Sequence, residues 1–390
     1  MFKFLGLLTT LASFLSSSGA MAQTNGTEQV LYNFAGGSDG INPWAGVTFR
    51  GGKLYGTTLL GGYYGSGTVF ELNGSTEMMI HSFTGFGDGA TPEGPVVFDN
   101  AGNIYGTAPN GGLYGHGLVF ELMGPYGGNW ILTPIYSFTG GTDGGWPNPG
   151  LVFDKAGNLY GTTLYGGALG FGSVFQIKPA GYSSTETVLY SFGNGSDGGG
   201  PWVGVVLHDG SLYGTTNGGG PYGYGTVYKL TPSADGWTES ILHTFTGGSD
   251  GGIPRGGLVF KGTALYGTTW SGGTFGKGTA FELSAESVET VLHSFGGGSD
   301  GAMPEGSVVF DKAGNLYGTT TLGGTSNSGT VFELTPAKGG WSENVLYSFT
   351  NGSDGGYPVY VSPVLHQGNV YGTASGGGTF GFGVVFEITP

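Results

Sequence analysis

The sequence has no cysteine, so neither disulfides nor thiolate metal centres can hold the chain together. Charge is scarce as well: 9% of the 390 residues, with 11 Lys and Arg against 26 Asp and Glu. A net charge of −15 repels phosphate backbones and anionic lipid surfaces, which excludes nucleic acid as a partner. Histidine occurs six times and never with metal-ligand spacing. Past the N-terminus no apolar run is long enough to cross a bilayer, so no transmembrane segment is expected in the mature chain. No segment shows a sustained helical period with caps. What the chain does have is 88 Gly, 14% aromatics and many Val, Leu and Ile, enough for a conventional core without staples.

The first 22 residues read as an export signal. Lys3 supplies the positive end, Phe4 to Leu15 an apolar stretch too short for a membrane span, and Ala20-Met21-Ala22 a small-x-small cleavage site. The expectation is a secreted or periplasmic protein of one domain over residues 23–390, monomeric and without cofactor.

Self-similarity dominates the remainder. A Phe recurs at 34, 83, 138, 192, 245, 295 and 349. Five residues after each stands an Asp: Asp39, Asp88, Asp143, Asp197, Asp250, Asp300 and Asp354. A Pro follows four further on, from Pro43 to Pro358. The Tyr of a Tyr-Gly-Thr element falls at 55, 105, 160, 213, 266, 317 and 371, and an aromatic from Phe70 to Phe386 always comes fifteen residues later. Each unit holds four short β-type runs; in one copy they are 150–153, 158–163, 173–177 and 187–192. The first two are joined by Asp154-Lys-Ala-Gly-Asn158, a compact hairpin turn. Seven units of about fifty residues with four antiparallel strands each predict an all-β, seven-bladed propeller, a β-solenoid being the alternative.

The recurring Leu-Tyr-Ser-Phe, Ser-Asp-Gly, Gly-Leu-Val-Phe-Asp, Gly-Asn-Leu-Tyr-Gly-Thr-Thr and Gly-Thr-Val-Phe-Glu-Leu resemble the GloVer tandem-repeat family of exported bacterial proteins. That resemblance implies no common activity. Many members carry a C-terminal anchor, whereas this sequence ends on Phe386-Glu-Ile-Thr-Pro390. The units are also similar to NHL propeller repeats. This second resemblance implies that Gly-Leu-Val-Phe is the inner strand and Val-Leu-Tyr-Ser-Phe the outermost. The strand from Val30 to Phe34 would then pair with Val384 to Ile388 and close the ring, removing two open edges. If blades instead coincide with the sequence repeats, no such closure exists.

Most of the tempting residues are common to all seven units. The Asp ring reads as loop architecture, each carboxylate accepting backbone N–H groups ahead of Gly, because one carboxylate per loop is too few for calcium. His81, His243 and His293 stand where other units have Tyr, and His208 and His366 in solvent hairpins. Both loop sets of one face keep their length in every unit, and no insertion breaks the symmetry as it does in enzyme propellers. Function is therefore sought where the units differ. One residue past each Pro come Trp44, Glu93, Asn148, Trp202, Arg255, Glu305 and Val359. Eleven past each Tyr come Ser66, His116, Phe171, Tyr224, Lys277, Ser328 and Phe382, with Tyr64 and Trp146 nearby. Aromatics beside scattered polar groups suit stacking on sugar rings or gripping a polymer or peptide. The first reading is a non-catalytic extracellular module for glycan or protein. Alternatives are a polysaccharide lyase or hydrolase, with Glu93, His116, Arg255, Lys277 and Glu305 as candidates, and an envelope adhesin or scaffold.

Overall fold

The computed structural model describes residues 26–390. The signal-peptide reading of residues 1–22 falls outside them. The described chain forms seven small antiparallel sheets set in a ring, a seven-bladed β-propeller. Among the described residues no helix is long and apolar enough to cross a membrane.

Blade 1 shows the order from the axis outward: Thr48–Arg50, Lys53–Thr58, Thr68–Asn73 and Thr76–Ser82. Inner strands are only two or three residues long, shorter than the pattern suggests. Blade 3 departs further, because Gly145–Pro147 joins Val152–Phe153 against Leu159–Tyr165. Blade 7 is completed from the other end of the chain. Val364–His366, Asn369–Ala374 and Val384–Thr389 take Thr27–Asn33 as their outermost strand, paired antiparallel from Thr27 opposite Thr389 to Asn33 opposite Val384. The ring is therefore closed by its own N-terminal strand.

The core lies in the seams between blades. Each outer-strand Phe is fully buried and meets the third-strand aromatic of the next blade edge-on or tilted. Phe34 with Phe70, Phe83 with Phe120 and Phe192 with Tyr228 are edge-on with centroids 5.0–5.3 Å apart, while Phe138 with Phe175 and Phe349 with Phe386 are tilted. The glycine of Tyr-Gly-Thr is what admits that ring, since a Cβ on Gly56 would lie 2.6 Å from Phe70. The Thr after it reaches the next blade's backbone. Thr57 donates to Gly94 (2.9 Å), Thr162 to Val203 (3.0 Å), Thr319 to Val361 (3.2 Å) and Thr373 to Ala45 (2.6 Å). Thr215 alone has a buried hydroxyl with no such bond, at the seam between blades 4 and 5.

Acidic pairs also line the seams. Glu28, Glu77, Glu186, Glu239, Glu289 and Glu343 occupy the same outer-strand position, and each keeps one carboxylate oxygen buried without a partner. Burial, and secondarily the Asp of the adjoining connection, lifts each to about 7. Blade 2 carries Leu132 there instead.

Candidate ligand site at the axial mouth

The connection from one blade's outer strand to the next blade's inner strand is tied down before it reaches the axis. Asp39 accepts from the Ala35 N–H (2.7 Å) and the Tyr32 hydroxyl (3.0 Å); Asp354 does the same with Thr350 (2.7 Å) and Tyr347 (3.1 Å). Asp143 takes Thr139 and Tyr136, and Asp197 takes Gly193 and Tyr190. Asp88, Asp250 and Asp300 meet His81, His243 and His293 in place of the Tyr. Burial holds the His81 and His243 imidazoles below their usual pKa, although the neighbouring Asp pulls the other way. Among the described residues no group of three or more His, Cys, Asp or Glu could hold a metal ion.

The residue before each Pro is left-handed, including the β-branched Thr91 (φ 53) and Ile253 (φ 56). Its N–H is aimed at the preceding blade, where it meets the carbonyl of the residue eleven past the Tyr. Trp146 bonds His116 (2.9 Å), Ile253 bonds Tyr224 (2.8 Å), Met303 bonds Lys277 (2.8 Å) and Asn42 bonds Phe382 (3.0 Å). Gly200 bonds Phe171 likewise (2.8 Å). Three of those side chains then lie on a glycine of the next connection, His116 on Gly140, Tyr224 on Gly247 and Phe382 on Gly36. His116, Tyr224 and Phe382 therefore lie over the seams, and none of the seven variable residues at this position lines the cavity at the axis. His116 joins Trp146 and Tyr165 in a separate cavity of about 360 Å³ between blades 2 and 3.

The residues just past the Pro converge. Trp202, Arg255, Glu305 and Tyr360 line one small cavity of about 70 Å³ together with backbone of blades 2 and 3. Here the blades touch through main chain: a Cβ on Gly204 or Gly306 would sit 1.8 Å from the carbonyl oxygen of Gly150 or Val361. The Arg255 guanidinium bonds the buried Glu305 carboxylate (2.6 Å) and lies over Trp202 and Trp270, 5.2 and 4.5 Å from their centroids. Thr321 donates to the other Glu305 oxygen (2.9 Å). Tyr360 stands between Trp44 and Trp202, with centroids 5.9 and 6.1 Å away. Burial first, then Glu305, pushes its hydroxyl up to about 12, with Glu93 adding to the same effect. Glu93 is itself lifted to about 7 by burial alone. Asn148 leaves the group, its amide donating to Thr162 of its own blade (3.1 Å) and to Pro201 across the next seam (2.6 Å).

Tyr360 is the residue the repeat arithmetic misses. Val359 is its nominal equivalent, yet Val359 is an extra residue: its N–H bonds the Tyr357 carbonyl (2.8 Å) and the chain turns so that Tyr360, at φ 53, takes the axial place. The register confirms the shift, because Thr319 bonds Val361, three past its Pro, where Thr57 bonds Gly94, two past. One signal was available: Pro358 to Tyr371 spans thirteen residues across the short hairpin His366-Gln-Gly-Asn369, where the same kind of hairpin in blade 1 gives twelve. The expectation that no insertion breaks the symmetry is thereby corrected by one residue. Trp270 and Thr321 were also overlooked, and both occupy a second variable position, four past the repeat Tyr.

Fold and mouth together define a propeller whose symmetric frame carries one asymmetric axial cluster. The profile described as the Gloeobacter/Verrucomicrobia repeat matches residues 8–206 and 181–386, so the chain belongs to that family. No curated protein is similar to it in sequence. Among solved structures, a puromycin-hydrolyzing peptidase from Mycobacterium tuberculosis is similar at 10% identity and TM-score 0.55, over 87% of this chain and 50% of the peptidase. A gluconolactonase from Xanthomonas campestris is similar at 14% identity and TM-score 0.44, over 95% of this chain and 91% of that one. At such identities the likeness is one of fold.

Proposed function

We propose that the protein is exported and works as a binding module that takes an uncharged carbohydrate at the axial mouth. The observation that carries this reading is the row Trp44, Tyr360 and Trp202 beside Arg255, Glu305 and Glu93. Aromatic faces stack on the apolar faces of sugar rings, and flanking carboxylate, guanidinium and phenol groups serve their hydroxyls. The net charge of −15 disfavours polyanionic ligands. A glycan array and calorimetry with the protein from residue 23 test it: wild type should bind a neutral oligosaccharide and Trp202→Ala should weaken it about tenfold or more. Absence of any soluble glycan ligand overturns the reading.

One observation favours a second reading, hydrolysis of the same ligand. Glu93, lifted to about 7 by burial, is suited to donate a proton, while Arg255 and Thr321 hold Glu305 as an acceptor. Release of reducing ends by wild type but not by Glu93→Gln would establish it.

A further inference from the structure

The face that holds the axial mouth also carries, farther from the axis, a set of apolar side chains that the mouth does not use. Between the second and third strands of every blade lies a tight turn closed by one backbone bond, as in Gly223 to Gly220 (3.1 Å) and Gly276 to Gly273 (3.1 Å). The same corner of that turn presents Tyr64, Tyr114, Leu169, Tyr222, Phe275 and Phe380, each 55–64% exposed. Blade 6 has Ser326 there. The outer strand holds the turns from behind: the Tyr63, Ala168 and Thr274 N–H groups bond the hydroxyls of Ser82, Ser191 and Ser294. Thr379 bonds Asn33 in the same way (2.8 Å). Large rings on pinned backbone lose little entropy when they are covered.

Apolar side chains this exposed, repeated at one position of six blades, offer the same contact at regular intervals round the disc. Three observations decide the class of ligand that they fit. Contacts this alike can all be satisfied at once only by a ligand that repeats its own chemistry. Of the ten Lys and Arg among the described residues, only Arg255 and Lys277 stand on the loops of this face, so a polyanion or an anionic bilayer is opposed rather than attracted. The presented groups are mostly phenol and phenyl rings, which stack on sugar faces.

We infer that this corona docks the protein onto the surface of a neutral polysaccharide, each aromatic corner stacking on one sugar unit. The inference deepens the carbohydrate reading of the mouth but uses different residues, so the two can fail separately. The test compares wild type, the corona variant Tyr114→Ser/Tyr222→Ser/Phe275→Ser and the mouth variant Trp202→Ala. Ser at these corners is already tolerated in blade 6. Each protein is sedimented with microcrystalline cellulose, with chitin and with vesicles of phosphatidylcholine and phosphatidylglycerol, and titrated with soluble oligosaccharides. The corona variant should lose polymer binding by about tenfold or more while keeping oligosaccharide binding. Ser326→Tyr should tighten polymer binding about twofold. Undiminished polymer binding by the corona variant overturns the corona and leaves the mouth standing. Corona-dependent polymer binding without any oligosaccharide binding overturns the mouth instead. Sedimentation with vesicles but with neither polymer overturns the corona assignment.

Discussion

The seams and the axial mouth are built from the same connections, yet they obey opposite rules. In the seams the same bond recurs blade after blade: Asp to the N–H four residues earlier, Phe against the next blade's aromatic, Thr to the next backbone. At the mouth hardly anything recurs. Adjacent blades present Trp202, Arg255, Glu305 and Tyr360, and each finds its partner on another blade. The one unmade Thr bond, at Thr215, falls at the seam just before Arg255. Repetition here marks what holds the ring, and its failure marks what the ring is free to do.

Removing residues 26–34 attacks the frame at its closure. It takes away the strand paired with Val384–Thr389 and the buried Phe34, so the protein should lose cooperative unfolding in a thermal melt. A melting temperature near that of wild type would show that the ring does not depend on its clasp.

Gly306→Ala tests the place where frame and mouth meet. Its Cβ would fall 1.8 Å from the Val361 carbonyl oxygen, and main chain cannot move aside cheaply. The expected loss in chemical denaturation is about 3 kcal/mol.

Arg255→Ala separates the two regions. Glu305 would be left buried with only the Thr321 hydroxyl, at a cost of about 2 kcal/mol, while ligand binding in calorimetry should fall far more steeply than stability. Equal losses in both would make Arg255 part of the frame.

The smallest effect belongs to the acidic pairs. Glu28 and its five counterparts have folded pKa values near 7, above the 4.5 of an ordinary Glu. The folded state therefore holds more protons between those values. Their contribution is fully present below pH 4.5 and is lost as pH rises through 7. The melting temperature should fall across that window. Glu239→Leu, which copies Leu132 of blade 2, should remove about 1 kcal/mol of that slope after allowing for partial exposure. An unchanged slope would mean that Glu239 is not among the groups that set it.

The blade count was legible because every landmark recurs seven times, so each copy checks the others. The register and the closure were not, because a cyclic repeat has no phase: the likeness to NHL repeats implied them, and the pairing of Thr27–Asn33 with Val384–Thr389 decides them. The mouth was half legible. Trp44, Glu93, Trp202, Arg255 and Glu305 follow from one rule, the residue past the Pro. His116, Tyr224 and Phe382 satisfied a similar rule, but their carbonyls and rings serve the neighbouring blade, and variability alone does not show which way a side chain points. Asn148 turned away because blade 3 starts its sheet early, at Gly145–Pro147. Tyr360 escaped because the insertion that moves it only lengthens the Pro358-to-Tyr371 spacing to thirteen, a length that longer hairpins also give in blades 2, 3 and 6.

The clasp between Thr27–Asn33 and Val384–Thr389 also orders events in time. The first strand of the ring to be synthesised can pair only with the last, more than three hundred residues later. Until then blade 7 has no outer strand, and the growing chain carries an open edge at both ends. Synthesis of Val384–Thr389 is therefore what lets the ring lock, and a product that stops before that strand cannot close.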